Sequence, residues 1–317
     1  MGAAAGAVTP RPRQRPLNWR RTRRGSVPYL LVAPVVAVLG VVLAYPVYSL
    51  VRIALERYGL FELIRHHGVY IGLANFATVL HDSVFWHTML RTILFAAACV
   101  SLSIVGGMLI ALLLVRVSGF IRILITSGLV LVWAMPPVVA VQVWNWMTNV
   151  QNGVLNYVLT ELHVGNYFQH NWFASPFSQL AMCAMLIVWG ALPFVSITLY
   201  AALSQVPHEL VEAAQIDGAP FWRVFKDVTL PVIAPVVYIL TTLSILWDFG
   251  VFTQVYLLIG QAALTPANYL MSVYVFEKGF VISDYGIGSA ISILMLVTVA
   301  IMSVVYVRKM LRVGEVT

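Results

Sequence analysis

The chain alternates between long apolar runs and short polar stretches. Six runs stand out, at about residues 28–53, 92–115, 121–147, 180–203, 228–251 and 285–307. Each is long enough to cross a hydrocarbon core of roughly 30 Å, which takes about 20 helical residues. The pattern predicts an all-α integral membrane protein with six transmembrane helices. Prolines punctuate several runs, with Pro136-Pro137 in the third and Pro193 in the fourth. The double proline must break the helical hydrogen-bond ladder. In a membrane such breaks survive where they are packed in protein or line a cavity. Gly106-Gly107 in the second run allows a neighbouring helix to approach closely.

Composition points the same way. Of 317 residues, 61% are hydrophobic and 10% charged, against about 25% charged in soluble domains. So little charge cannot cover a water-facing surface. The net charge of +7 invites a nucleic-acid reading, but its distribution argues against one. Seven arginines (Arg11, Arg13, Arg15, Arg20, Arg21, Arg23, Arg24) precede the first run, without the folded face and interleaved aromatics that nucleic acid needs. They predict a disordered, cytoplasmic tail over 1–27 that touches anionic lipid. A twin-arginine export signal would need an apolar region of roughly 7–15 residues. The run from Tyr29 to Ile53 is longer, and no small-x-small cleavage site follows it, so it reads as a retained anchor.

Chemistry-bearing residues are sparse. Cys99 and Cys183 lie inside apolar runs and form neither a disulfide framework nor a metal-ligand spacing. His66 and His67 are adjacent, do not share a helical face, and have no Cys or carboxylate at ligand spacing. Neither a metal site nor a catalytic set is expected. Orientation follows from Lys and Arg. With the N-terminus inside, 14 of the 19 basic residues fall in inner segments and 5 in outer ones. That bias places both termini, and the stretch 204–227, in the cytoplasm.

The stretch 204–227 is a charged island between two apolar runs. Pro207 suits the first turn of a helix, and His208 to Ile216 is helix-friendly. Gly218 suits a left-handed cap. Pro220 starts a second short helix on which Phe221, Val224, Phe225 and Val228 form one apolar stripe. The expected product is a helix–turn–helix elbow on the membrane surface. It carries four acids against two bases, whereas a helix lying on lipid favours bases. A protein partner fits that charge better.

Glu212-Ala213-Ala214, Gly218 and then Leu230-Pro231, with Asp217, Ala219, Phe225 and Pro235, resemble the EAA loop of ATP-binding-cassette (ABC) importer permeases, in the sugar-importer branch. Gly72-Leu73 with Asn75-Phe76 is similar to the segment after the first span of the maltose-permease-type subunit. The resemblance covers about residues 28–312. Leu258-Ile259-Gly260-Gln261-Ala262 stands where that branch usually carries a Thr-Gly-Gly-Gly-Pro run.

The resemblance implies a type I ABC importer permease fold in a bacterial cell (inner) membrane. Its implied partners are a second, related permease subunit, two cytoplasmic ATPase subunits and an extracytoplasmic solute-binding protein. It makes the 204–227 elbow a coupling helix, with Glu212, Ala213, Ala214, Asp217, Gly218, Ala219 and Phe225 as the residues that engage or support contact with the ATPase. This chain lacks a G-x-x-x-x-G-K-[ST] phosphate loop. No cofactor is expected on it, and ATP and Mg belong to the ATPase. The resemblance also puts sugar-contacting positions at Phe194, Ser244, Trp247, Asp248 and Val251. The residues themselves support part of that set, because Trp247 offers a ring face, and a carboxylate inside a span, as at Asp248, is a functional candidate by default. Trp133, Gln142, Trp144 and Asn145, near the double proline, are further solute-path candidates. A secondary transporter or channel for a small polar solute is the alternative. It would use intramembrane charge for coupling, yet only Asp248 is available, and the elbow would have no role.

Overall fold

The computed structural model describes residues 27–314. The tail expected over 1–27 therefore lies outside the described residues except for its last residue. The chain divides into two units, Met1–Leu50 and Val51–Thr317. In the first, the described part is a single apolar helix, α1, which runs Val27–Ala54, ends in the second unit, and contains Pro34 and Pro46. Its side chains from Leu31 to Tyr48 are exposed.

The second unit continues with a small polar subdomain. Two-residue strands β1 (Glu56–Arg57) and β2 (Val69–Tyr70) pair antiparallel around α2 (Leu60–Arg65), and α3 follows at Ala74–His81. Asn75 holds this piece together, its Nδ2 donating to the carbonyls of Ala54 and Glu56, both at 2.9 Å. The remaining helices are α4 (Ser83–Arg116), α5 (Gly119–Trp133), α6 (Pro137–Met147), α7 (Val154–Glu161), α8 (Pro176–Leu203), α9 (His208–Ile216), α10 (Phe221–Val224), α11 (Leu230–Phe249), α12 (Thr253–Ile259), α13 (Met271–Phe276) and α14 (Tyr285–Gly314). Five helical stretches are long and apolar enough to cross a membrane, or six if the bent pair α5 and α6 is one span.

Two boundaries differ from the sequence reading for physical reasons, and the break expected at the double proline is found. Helix α4 begins at Ser83, not near Thr92, because the Asp82 carboxylate caps it by accepting from the Val84 N–H at 2.9 Å. The third run splits at Pro136-Pro137, and α5 and α6 meet at 101°. The short helix α10 is not separate from its span. A π-helical turn, Phe225–Thr229, carries it directly into α11, so Phe221–Phe249 is one helical stretch. That wide turn sits just before Pro231, which has no N–H to close a regular bond back to Asp227.

Helices α4 and α8 form the centre of the second unit. Their backbones meet at Gly107, where an added Cβ would lie 2.5 Å from Val195 Cγ1 and 3.2 Å from Ser196 N. Helix α11 packs on α4, α8 and α14.

The stretch between α11 and α14 turns back into the protein, so that Leu270 and Met271 are fully buried and Tyr274 nearly so. Polar bonds pin it there. Arg91 Nη1 donates to the carbonyls of Pro266 (3.0 Å) and Tyr269 (2.9 Å). Thr92 Oγ1 accepts from the Met271 N–H at 2.9 Å. Asn268 Nδ2 donates to Gln179 Oε1 at 2.6 Å, and the Tyr274 hydroxyl donates to Asp82 Oδ2 at 2.8 Å.

The glycine contact can be tested directly. Gly107→Ala should destabilise the protein by about 1–3 kcal/mol through overpacking. Gly128→Ala on α5, where an added Cβ meets nothing within 4 Å, should have no such cost. Thermal unfolding of the detergent-solubilised variants checks the difference.

Candidate functional site

The break between α5 and α6 opens onto a cavity of about 340 Å³. Neither proline supplies the N–H that would continue the α5 ladder, so the backbone turns aside there. The cavity wall takes Val132, Trp133, Met135 and Pro137 from this break, and Ala140 from the first turns of α6. Helix α8 contributes Leu186, Ile187, Trp189, Gly190, Ala191 and Phe194, which recur at helical spacing along one side. The end of α11 contributes Trp247 and Asp248, followed by Val251 and then Gln254 on α12.

The rings form a continuous aromatic surface. Trp133 stacks on Phe194 with centroids 6.2 Å apart, and Phe194 meets Trp247 at 5.5 Å. Trp133 and Trp247 remain 59% and 56% exposed. Asp248 is 6% exposed, and its Oδ2 has no hydrogen-bond partner among the described residues. No Lys, Arg or His lines the cavity. An apolar wall with a few polar groups is the general form of a small-molecule site.

Five solute-path candidates, Trp133, Phe194, Trp247, Asp248 and Val251, thus share one cavity. Ser244, Gln142, Trp144 and Asn145 are not among its lining residues. Ser244 is buried one turn before Asp248 on α11. Gln142 lies two residues beyond Ala140, about 200° around α6 from the lining face, and is exposed. Asn145 is half-buried, about 140° from Ala140 in the same projection. Trp144 instead meets Trp189 edge-on at 6.2 Å. Trp189 and Gln254 are lining residues that the sequence reading missed. Trp189 precedes Phe194 by five residues on α8, about 140° around the helix, so helical spacing from Phe194 gives no signal for it. Gln254 lies in the first turn of the short helix α12, beside Thr253.

A second surface lies at the opposite end of α4 from the capped Asp82. Helix α9 ends in a Schellman motif, in which the Ala219 N–H bonds the Ala214 carbonyl and the Gly218 N–H bonds that of Gln215, both at 3.0 Å. Gly218 adopts φ +79°, where a Cβ is disfavoured. A groove between this elbow and the end of α4 is lined by Leu112, Val115, Arg116, Val211, Ala219 and Phe225, among others. The Arg116 guanidinium sits 4.5 Å from the centre of the Phe221 ring. Phe225 is half-buried and touches the rings of Phe221 and Trp222. Glu212, Ala213, Asp217 and Gly218 are exposed, and Ala214 and Ala219 half-buried. Ile216 is 86% and Trp222 68% exposed on the elbow.

Comparison with known proteins fits this geometry. The family described as binding-protein-dependent transport system inner membrane component matches residues 103–311. The diacetylchitobiose uptake system permease protein DasB of Streptomyces coelicolor is 37% identical, over 93% of this chain and 90% of that protein. The trehalose/maltose transport system permease protein MalF of Thermococcus litoralis is 32% identical, over 92% of this chain and 95% of that protein. Among solved structures, a chain of a bacterial ABC transporter involved in the import of the acidic polysaccharide alginate superposes with TM-score 0.75 at 20% identity, covering 93% of this chain and 98% of that one. The fold is that of a type I ABC importer permease. This chain belongs to the family of binding-protein-dependent transport system inner membrane components.

Proposed function

We infer that this chain is the membrane-spanning permease subunit of an ATP-driven importer. Its cargo is a carbohydrate in the broad sense, an oligosaccharide, amino sugar or polyol, delivered by an extracytoplasmic binding protein. The observation that carries this reading is the cavity at the α5–α6 break. Sugars need ring faces for their C–H surfaces and carboxylates or amides for their hydroxyls. Trp133, Phe194 and Trp247 supply the faces, and Asp248 and Gln254 supply the acceptors. Relatives named for diacetylchitobiose and for trehalose and maltose support the same class.

Energy would enter through the elbow. Its exposed side presents Leu210, Glu212, Ala213, Ile216 and Asp217 from one short helix. That combination of acid, small and apolar residues fits a groove on a protein better than a lipid surface. The Schellman cap and the Phe225 contacts stiffen the elbow, so a push on α9 is passed to the continuous stretch Phe221–Phe249, at whose far end lie Trp247 and Asp248. In this scheme two ATPase subunits bind ATP with Mg, and a second, related permease completes the path. Both termini and the elbow face the cytoplasm.

Two outcomes test the scheme. Gly218→Asp or Glu212→Lys should lower uptake at least tenfold while membrane insertion, followed by immunoblot of the membrane fraction, is unchanged. Normal uptake by a stably inserted Gly218→Asp variant contradicts the coupling role. Trp247→Ala should raise the apparent KM for uptake about tenfold by removing a ring face. An unchanged KM would remove Trp247 from the path.

A further inference from the structure

Resting on the carbohydrate reading, we propose that the cavity selects a cationic sugar, one that presents a protonated amine to Asp248. The carboxylate is 6% exposed, and its Oδ2 lacks a hydrogen-bond partner among the described residues. The cavity lining contains no basic side chain, and Gln254 is its other polar side chain besides Asp248. A buried carboxylate is expensive unless it is paired. A hydroxyl from a neutral sugar gives one oxygen a donor but leaves the negative charge unbalanced. An ammonium group supplies donors and the opposite charge together.

The rest of the wall points to the same ligand. Trp133, Trp189, Phe194 and Trp247 line the same cavity as Asp248. Aromatic faces carry negative potential and attract a cation held within about 6 Å of the ring centre. The same faces pack against the C–H surface of a sugar ring. An amine on a sugar ring thus finds a counter-charge and aromatic faces in one cavity. The low polarity of the wall strengthens the attraction between ammonium and carboxylate relative to water.

A matched pair of sugars isolates the charge. Chitobiose carries two free amines, and diacetylchitobiose is the same disaccharide with both amines acetylated and neutral. Binding of each to the complete transporter in nanodiscs is measured by calorimetry at about pH 7, just below the usual range of amine titration. The wild-type transporter should bind the diamine about tenfold more tightly. Asp248→Asn, which keeps the shape and removes the charge, should abolish that preference, and Asp248→Glu should retain it. Equal or tighter binding of diacetylchitobiose, or a preference that survives Asp248→Asn, overturns the cationic-sugar proposal and leaves the carbohydrate reading standing. Failure to bind either sugar, or maltose, overturns both.

Discussion

Inside a bilayer no water is present to satisfy a backbone group or a charge that loses its partner. Every departure from regular apolar helix in this chain has to answer that constraint. The largest departure is the turn at Pro136-Pro137, where α5 and α6 meet at 101°. It lines a cavity, and the cavity also receives Asp248 from the end of α11. The broken backbone and the intramembrane carboxylate are therefore one feature. The stretch between α11 and α14 answers the same constraint differently. It is pinned to the protein by Arg91, Thr92, Asp82 and Gln179, which meet two of its carbonyls, one N–H and two of its polar side chains. Those bonds hold a wall in place, whereas Asp248 Oδ2 has no hydrogen-bond partner among the described residues.

The elbow follows the opposite logic. Its backbone is satisfied internally by the cap at Gly218 and by the run of helix into α11. What it leaves unsatisfied is apolar surface at Ile216 and Trp222. Exposed apolar groups beside acids on a short, stiff element are characteristic of a protein-docking surface. Helices α10 and α11 form one helical stretch, with no loop between the elbow's second helix and the end of α11. The proposed motor contact on α9 thus adjoins, across the turn at Gly218, one end of the stretch Phe221–Phe249 whose other end carries the proposed solute site.

Much of the architecture was legible in the sequence because hydrophobic runs and prolines are local signals. The six runs and the break at Pro136-Pro137 needed no tertiary knowledge. The early start of α4 did. Asp82, His87 and Arg91 read as a polar stretch, yet Arg91 is accommodated by carbonyls 175 and 178 residues away. The π-helical turn at Phe225–Thr229 was equally hidden, since Pro231 reads as a helix start and not as the reason for a widened turn. At the site, Phe194, Trp247, Asp248 and Val251 came from a family resemblance, and Trp133 from its place beside the prolines. Gln142 and Asn145 are near the same prolines in sequence, but the rotation of α6 turns them from the cavity. Trp189 and Gln254 were missed because aromatic and amide residues near a membrane interface have many ordinary uses.

The central claim is that this chain forms a solute path driven by ATP through a partner. Uptake of labelled carbohydrate into proteoliposomes containing the complete transporter tests it most directly. The account predicts that uptake requires both ATP on the elbow side and the binding protein on the other, and is indifferent to proton or sodium gradients. Uptake that follows an ion gradient with no ATP present would contradict it.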